Sequence, residues 1–515
     1  MTMTQVAVAT SSTLAAEAAA EIVDLGGNAV DAAIAASLLT MNTEPGVCAL
    51  AGGAMITVWP ANADPVSYDG YVTVPGLGHA SAAAGKYETV SMQYGGGVTT
   101  IIGAGSVAVP GSPAAVDAAR RDFGRLPLAT LLKPSIAATK TGYPLPEACH
   151  HYLGYSGMSI FGRDADARQA LFPDGEHLLD AGERLLVPGL SDSLGQLAED
   201  GIGALYGGDL GRAIVDHLTN RGGVMTMEDL SQYSVDRRPS HQFEVGDWTL
   251  AVSPPPSIGG SMLAAVLSGV AAGEPLAQML RATLQYRRGN LDFSTALPDD
   301  TRALLHLAAT TPTTLGKHIS AATVHTSAVD STGLACSITA SAGYGSGEVA
   351  PGTGLWLNNC LGELELNRLG LRAGPAGVRL PSNMSPTTAR KSDALLAIGS
   401  PGADRITSAM AQTLAALIMG NKSLHEAIAA PRLHVDAALS ADDNGFFAET
   451  LSIEPGVETS GVGIERIRKF DAPSMYFGGV GAALLHTTNG TSLEAEADQR
   501  RNGMAVVHPP TPDGL

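Results

Sequence analysis

Residues 319–333 read ISAATVHTSAVDSTG, and this stretch decides how the rest of the chain is interpreted. A small apolar pair at 321–322 precedes Thr323, and the alternating segment TSAVD follows and ends in a turn at 331–333. The alternation predicts a β-strand. Two interpretations stay open: an ordinary strand with a polar edge, or a point at which the chain is cut so that Thr323 becomes an N-terminus.

The second interpretation has a chemical basis in the residue type. A threonine hydroxyl is a weak nucleophile unless a base lies beside it. If the bond before Thr323 is broken, its own α-amino group, with a pKa of about 8, becomes that base. The same hydroxyl can first attack the carbonyl of Ala322 and form an ester, which water then opens. Small residues before the threonine ease that approach.

Composition excludes several classes of protein. The chain has 515 residues, of which 45% are hydrophobic and 16% charged, so it can bury a large core and is neither disordered nor fibrous. The formal net charge of −19 argues against binding to nucleic acid or to an anionic membrane, because phosphate contacts need Lys and Arg. The charge says nothing about a small-molecule substrate, whose pocket can have any local charge.

The cysteines and the first residues predict a location. The four cysteines form no CxxC pair and are too few for a disulfide scaffold, which favours a reducing compartment. The first 27 residues lack the basic and continuous apolar regions of a signal peptide, and no apolar run approaches the roughly 18 residues that span a bilayer. We therefore expect a cytoplasmic protein.

The distribution of periodic segments predicts an α+β layered fold rather than a βαβ alternation. Helices are predicted to begin at Ser11 or Ser12 and at Asn28, the second of them buried. After Thr323 strand-like runs dominate, among them GLWLNN, with helices at 406–421 and 423–433. Residues 290–320 carry little pattern and are predicted to be a linker.

A second motif follows the strand ALLAI: Gly399-Ser400-Pro401-Gly402-Ala403-Asp404-Arg405, with a helix after it. Successive backbone N–H groups at a helix start can stabilise an oxyanion, although a plain strand-to-helix turn explains the same residues. The glycines at 95–97 and 103–106 lack the context of a phosphate loop, and there is no GxSxG elbow. Cys149-His150-His151 is interpreted as a satisfied surface group. We therefore expect no metal and no cofactor.

Together these segments resemble the γ-glutamyltransferase family of N-terminal-nucleophile hydrolases, nearly from end to end. The matching blocks before Thr323 are GGNAVDAAIA (26–35), EPGVCALAGGAM (44–55), VPGSPAAVDAARRDFGRLPLATLLKPSI (109–136), GGVMTMEDLSQYSV (222–235) and PPPSIGG (254–260). The later blocks are TVHTSAVDSTG, YGSGEVAPGTGLWLNN, SNMSPT, GSPGADRI, AAPRLH and FGGVGAALLH. The resemblance implies a four-layer αββα sandwich, synthesis as a zymogen and cleavage between Ala322 and Thr323. It also implies a heterodimer of a large subunit, 1–322, and a small subunit, 323–515; further oligomerisation stays open.

The resemblance also implies roles for individual residues. Thr323 is the nucleophile. Ser341, or alternatively Thr339, matches the hydroxyl that binds the threonine amine. Gly402 and Ala403 match the two positions whose N–H groups form the oxyanion hole.

The substrate-binding positions depart from the family pattern. Tyr71 stands where the family has the arginine that binds the α-carboxylate of the γ-glutamyl group, and a phenol cannot make a bidentate guanidinium–carboxylate pair. In the block that begins Asn358-Asn359, Cys360 replaces a glutamine and Glu363 replaces an aspartate. The paired serines of the family become Ser382-Asn383, and its second threonine becomes Val324.

The conserved chemistry and the changed substrate positions predict an autoprocessing threonine hydrolase or acyltransferase with a substrate other than glutathione. Similar relatives act in antibiotic and amino-acid pathways, and some in alkylproline-forming pathways hydrolyse a C–C bond. Two alternatives stay open: a γ-glutamyl transferase or hydrolase with unusual contacts, and an uncleaved, non-enzymatic homologue.

Overall fold

The structure is a computed structural model, and it describes residues 4–79, 85–93, 97–310, 323–364, 367, 369–372, 374–402, 404–437, 449–458, 462–488 and 490–509. Among the described helices we find none that is both long enough and apolar enough to cross a lipid bilayer.

The strands follow one another along the chain as β1 Val6–Thr10, β2 Gly53–Trp59, β3 Val66–Gly70, β4 Glu88–Met92, β5 Val98–Ile102, β6 Tyr143–Pro144, β7 Arg184–Leu185, β8 Asp236–Pro239, β9 His241–Val245, β10 Trp248–Val252, β11 Val324–Asp330, β12 Ala335–Ser341, β13 Thr387–Lys391, β14 Ala394–Gly399, β15 Leu433–Ala437, β16 Glu449–Ile453, β17 Ile467–Lys469, β18 Gly481–His486, β19 Ser492–Ala497 and β20 Met504–His508.

The α-helices are α1 Thr13–Asp24, α2 Ala29–Thr43, α3 Ser112–Phe123, α4 Leu128–Leu131, α5 Lys133–Thr141, α6 Glu147–Ile160, α7 Ala165–Leu171, α8 Leu190–Asp200, α9 Gly203–Tyr206, α10 Asp209–Asn220, α11 Met227–Ser231, α12 Ile258–Ala271, α13 Leu276–Tyr286, α14 Leu297–Thr310, α15 Arg405–Leu414 and α16 Leu424–Ala429. Single π-helical turns, Arg287–Leu291 and Ala415–Met419, extend α13 and α15.

Two antiparallel sheets form the centre of the molecule. Among the described residues, the first sheet has the order β20-β1-β11-β12-β2-β3-β8 and the second has the order β19-β18-β14-β13-β10-β9. The sheets face each other through β11, β14 and β18. Small side chains such as Ala7, Ala397 and Ala483 lie between them and allow a close approach.

Helices cover the two outer faces. On the first sheet, α2 packs against β11 and β12 and α3 packs against β2 and β3; on the second sheet, α12 packs against β9 and α15 against β14. Helix α2 is buried along its whole length, as its composition predicted, and Asn28 and Asp31 close its N-terminus as a capping box. The predicted α+β fold, a four-layer αββα sandwich, is confirmed.

Three local predictions were wrong. Residues 297–310 form α14 rather than a linker, and Thr301, Leu304 and Ala308 supply its buried face. The run GLWLNN makes isolated bridges at Trp356 and Leu357 instead of a strand, because each residue pairs with a different segment. The sequence of residues 103–109 also predicts a short strand, but these residues contain a 3-10 turn at Ala104–Ser106.

One close contact joins the two sheets near the start of β11. A Cβ atom added to Gly399, the last residue of β14, would lie 2.1 Å from Cε1 of His325. The imidazole ring therefore packs directly against the glycine backbone, and the position has no room for a side chain.

We predict that Gly399→Ala destabilises the protein by about 1–3 kcal/mol, the usual cost of overpacking a buried contact. Gly154→Ala is the matched control, because a Cβ at that exposed position of α6 meets nothing within 4 Å and should stabilise the helix by up to about 1 kcal/mol. Chemical denaturation measures both. Equal stability of the two variants would contradict the contact.

Candidate active site

Thr323, the predicted nucleophile, directly precedes β11, an inner strand of the first sheet. The register of β11 and β12 pairs Val324 with Ala340, so Thr323 comes next to Ser341, which itself pairs with Gly53 of β2. Thr323 and Ser341 are both buried. Because side chains alternate along a strand, both point toward the second sheet, whereas Val324 packs in the core between the first sheet and its helices.

A chain of buried hydrogen bonds lies one step deeper on the same face. Thr339 donates to Nδ1 of His325 at 2.9 Å, Nε2 of His325 donates to Oγ of Ser327 at 2.7 Å, and Ser327 donates to the carbonyl of Gly481 in the second sheet at 3.1 Å. Burial lowers the pKa of His325 to about 3, so the ring is neutral at physiological pH. Thr339 is thus engaged by His325, whereas Ser341 is the hydroxyl residue that comes next to Thr323 in the register.

The loop predicted to form the oxyanion hole lies against this strand end. Gly402 has a φ of +120°, and a Cβ there would lie 2.9 Å from Cα of Gly478, so the position requires glycine. Oγ of Ser400 accepts a hydrogen bond from the backbone N–H of Gly479 at 3.1 Å. Pro401 lines the same cavity as Thr323. Ala403, the second residue predicted to form the oxyanion hole, lies outside the described residues. So does Ala322, the residue before the predicted cleavage point.

Asn383, a predicted substrate-binding residue, supports the start of α15. Its Nδ2 donates to Asp404 at 2.8 Å, and its Oδ1 accepts from Arg287 at 2.9 Å. Arg287 also pairs with Asp292 at 2.6 Å. Burial raises the pKa of Asp404, and the arginine opposes that shift. The network therefore fixes Asp404, the residue that follows the loop predicted to form the oxyanion hole. Oγ of the adjacent Ser382 accepts from the N–H of Met384.

Tyr71, Cys360 and Glu363, at three positions that depart from the family pattern, lie together. Tyr71 and Cys360 are joined by a side-chain hydrogen bond, and both interact electrostatically with Glu363. All three residues are at least 97% buried. Desolvation raises the pKa of the Tyr71 phenol and of the Cys360 thiol far above their usual values, so both stay neutral. Met55, Leu380 and Met384 complete an apolar cluster around Tyr71 and Cys360.

Asn359, the remaining predicted contact, serves the loops around the site. Its Nδ2 donates to Thr100 and to the carbonyl of Ile101, and its Oδ1 accepts from the N–H of Tyr344. A Cβ at Gly343 would lie 2.3 Å from Asn359 and 2.9 Å from Glu363. Since Gly343 donates its N–H to Oγ of Ser341 at 3.1 Å, these residues border the position next to Thr323.

A cavity beside Thr323 contains polar groups that sequence reasoning missed. It is lined by Ser11, Glu44, Asp498 and Arg501 as well as by Thr323. Nη1 of Arg501 donates to the carbonyl of Thr323 at 3.3 Å. Glu44 opens one of the blocks that carried the family resemblance, but its spacing gives no sign that it lines a cavity with a residue 279 positions later.

One group of described side chains has the composition of a metal site, namely Asp164, His217 and Glu348, whose candidate ligand atoms lie within 4.8 Å of one another. Nε2 of His217 is 2.9 Å from Glu348, and Arg221 pairs with the same carboxylate. Asp164 accepts the first N–H groups of α7. The three residues are therefore already engaged with one another and with their neighbours.

Comparison with known proteins gives the same family as the resemblance. A family model described as gamma-glutamyltranspeptidase matches residues 15–276 and 273–508. The chain is 30% identical over 467 residues to Acylase ACY 1 proenzyme of Pseudomonas sp. (strain V22), covering 84% of this chain and 83% of that protein. It is 27% identical over 485 residues to Glutathione hydrolase 5 proenzyme of Rattus norvegicus, covering 84% and 82%. Cephalosporin acylase from Bacillus halodurans shares the fold, with a TM-score of 0.77 and 22% identity over 98% of this chain and 96% of that one.

The neutral state of His325 predicts a pH dependence of folding. Its pKa is about 3 in the folded chain and about 6.5 when unfolded, so the unfolded chain binds the extra proton between these values. Stability should fall as pH falls below 6.5, by up to about 1.4 kcal/mol per pH unit from this ring. In His325→Gln that part of the slope is absent. Thr339→Val, the control, keeps the ring and the slope. Denaturation between pH 7 and pH 4 measures this, and parallel wild-type and His325→Gln curves would contradict it.

Proposed function

The chain belongs to the gamma-glutamyltranspeptidase family, and from this premise we propose that it is an autoprocessing threonine hydrolase whose acyl substrate lacks the charged groups of γ-glutamate. The observation that carries the proposal is the Tyr71–Cys360 contact. Two positions that the resemblance assigns to γ-glutamyl recognition bond to each other within an apolar cluster.

The physical consequence is a loss of charge recognition. An α-carboxylate moved from water to a phenol and a thiol loses hydration and gains no ion pair, which is strongly unfavourable. A neutral acyl chain avoids that penalty. The name of the Pseudomonas relative, an acylase, supports cleavage of an acyl group. We include in this proposal a biosynthetic role inside the cell.

The proposed reaction uses groups of this chain throughout. The α-amino group of Thr323, held by Ser341, takes the proton of the Thr323 hydroxyl, and Oγ attacks the substrate carbonyl. The N–H groups of Gly402 and Ala403 bind the oxyanion. The amine then gives its proton to the leaving group, and water opens the ester and restores the hydroxyl. The same attack on a ketone-type carbonyl would release a carbon leaving group.

One observation favours a second candidate, hydrolysis or transfer of a γ-glutamyl group. Glu363 is a buried carboxylate beside Tyr71, at the position where the resemblance places the acidic residue that binds the α-amino group. A series of acyl anilides that differ only in their charged groups separates the two candidates.

We predict that purified protein consists of two polypeptides, 1–322 and 323–515, and that Thr323→Ala is a single chain without activity. The reason is that one hydroxyl carries out both the cleavage and the turnover. Thr332→Ala, a change in the exposed turn after β11, is the control and should give two polypeptides. Intact mass spectrometry measures the products. An active, unbroken wild-type chain would contradict the prediction.

We predict that a butyryl anilide is hydrolysed with a kcat/KM at least about 100-fold above that of the γ-glutamyl anilide, because lost contacts to a charged group typically cost several kcal/mol. The glutaryl anilide, which lacks only the amino group, should also be poor. Release of the chromogenic aniline measures each rate.

Variants at Tyr71 provide the matched comparison for this series. Tyr71→Phe removes the bond to Cys360 and should keep the preference for the butyryl group. Tyr71→Arg supplies a cation and should lower the ratio of kcat/KM for the butyryl anilide to kcat/KM for the γ-glutamyl anilide. Preference of the wild type for the γ-glutamyl anilide would favour the second candidate.

A further inference from the structure

Cleavage before Thr323 poses a chemical problem that turnover does not. In the mature enzyme the free α-amino group can take the hydroxyl proton. In the precursor the same nitrogen is part of the peptide bond to Ala322 and cannot act as a base. A different group must accept the first proton.

Glu44 lies in the wall of the cavity beside Thr323. It follows the last turn of α2, is 5% exposed, and lines the cavity that also contains Thr323. Ser11 donates a hydrogen bond to its Oε1. On the same cavity wall, Arg501 binds the carbonyl of Thr323 and attracts the Glu44 carboxylate electrostatically. The hydrogen bond from Ser11 therefore orients the Glu44 carboxylate, and the positive charge of Arg501 partly offsets its negative charge.

Two thiols and a phenol interact with the Glu44 carboxylate. Burial raises the pKa values of Cys48, Cys149 and Tyr143, which interact with Glu44, so all three stay protonated. Asp498, also in the cavity wall, forms an ion pair with Arg432 at 2.6 Å.

His325 lines the cavity too but is unsuited to the task. Its Nδ1 already accepts from Thr339, and its pKa is about 3. Burial raises the pKa of Glu44 to about 7, while Ser11 and Arg501 lower it. A carboxyl with that pKa exchanges protons readily at physiological pH.

We propose that Glu44 is the proton acceptor and donor for self-cleavage of the precursor, an inference that rests on the proposed cleavage before Thr323. Glu44 takes the Thr323 hydroxyl proton, directly or through a water molecule, and Oγ bonds to the carbonyl carbon of Ala322. The C–N bond breaks as the carboxyl returns its proton to the nitrogen. Water then splits the ester, and Glu44 regains its initial state.

The test follows cleavage of newly made full-length chain from cell-free synthesis, transferred to buffers between pH 5 and pH 9. The readout is the appearance of fragment 323–515 by intact mass. Wild-type cleavage should accelerate with rising pH and level off above an inflection near 7. Glu44→Gln should cleave at least about 100-fold more slowly, with no inflection. Glu44→Asp should partly restore the rate.

The pH inflection of cleavage in Ser11→Ala distinguishes a proton-transfer role of Glu44 from a purely structural role. Its hydrogen bond lowers the pKa of Glu44, so its loss should shift the inflection to higher pH while cleavage still reaches completion. Glu17→Gln, on an exposed turn of α1, is the matched control and should behave as wild type.

Each outcome separates this inference from the proposed function. A wild-type chain that never cleaves overturns the proposed function and the inference with it. If the wild type and Glu44→Gln cleave at equal rates, the inference alone is overturned. The same holds if Glu44→Gln matures at the wild-type rate and the mature variant differs only in a raised KM. If Glu44→Gln fails to fold, as shown by thermal unfolding, an unmoved inflection in Ser11→Ala overturns the inference.

Discussion

The approach of the His325 ring to the backbone of Gly399 is the contact on which the geometry of the site depends. It sets the spacing between the two sheets at the point where β11, which follows Thr323, meets the end of β14. The hydrogen bonds from Thr339 through His325 and Ser327 to Gly481 extend this junction to two more strands, β12 and β18. A hydroxyl and two N–H groups that come from different sheets can act on one carbonyl only if their separation is held to a fraction of an ångström. A neutral, fully bonded imidazole is suited to this task, because it fills space without adding a buried charge.

The departures at the substrate positions are coupled in space. Tyr71 and Cys360 come from segments almost 300 residues apart, yet they bond to each other. A tyrosine alone at the arginine position would leave a buried hydroxyl to be satisfied, and a cysteine alone at the glutamine position would leave a gap. Together they satisfy each other and pack with Met55 and Leu380. Under the proposed function, this pair replaces a polar recognition surface by an apolar wall, with the carboxyl group of Glu363 beside it.

The sequence predicted those features that depend on local patterns or on family blocks. The alternation in TSAVD predicted strand β11, and Asn28 marked the start of α2. Other features could be predicted only with knowledge of the distant segment that each one contacts. Strand β1, VAVAT, is buried on both faces and shows no alternation, while GLWLNN has the composition of a strand but finds only single bridging partners. The same limit applies to the site. Arg501 reaches Thr323 from 178 residues away and Ser11 reaches Glu44 from 33 residues away, and no spacing rule indicates either contact.

The position of Glu44 connects the fold to the order of events that the proposed function requires. One hydroxyl must lose a proton in the precursor and again in each turnover, but its own amine is available only the second time. A second base that stayed strongly basic would compete with the amine after cleavage, and a fully ionised carboxylate would be costly to bury. A carboxyl whose pKa is held near 7 by burial, against the opposing effects of Ser11 and Arg501, meets both limits. It can take a proton before the amine exists and, once the amine is present, it is the weaker of the two bases.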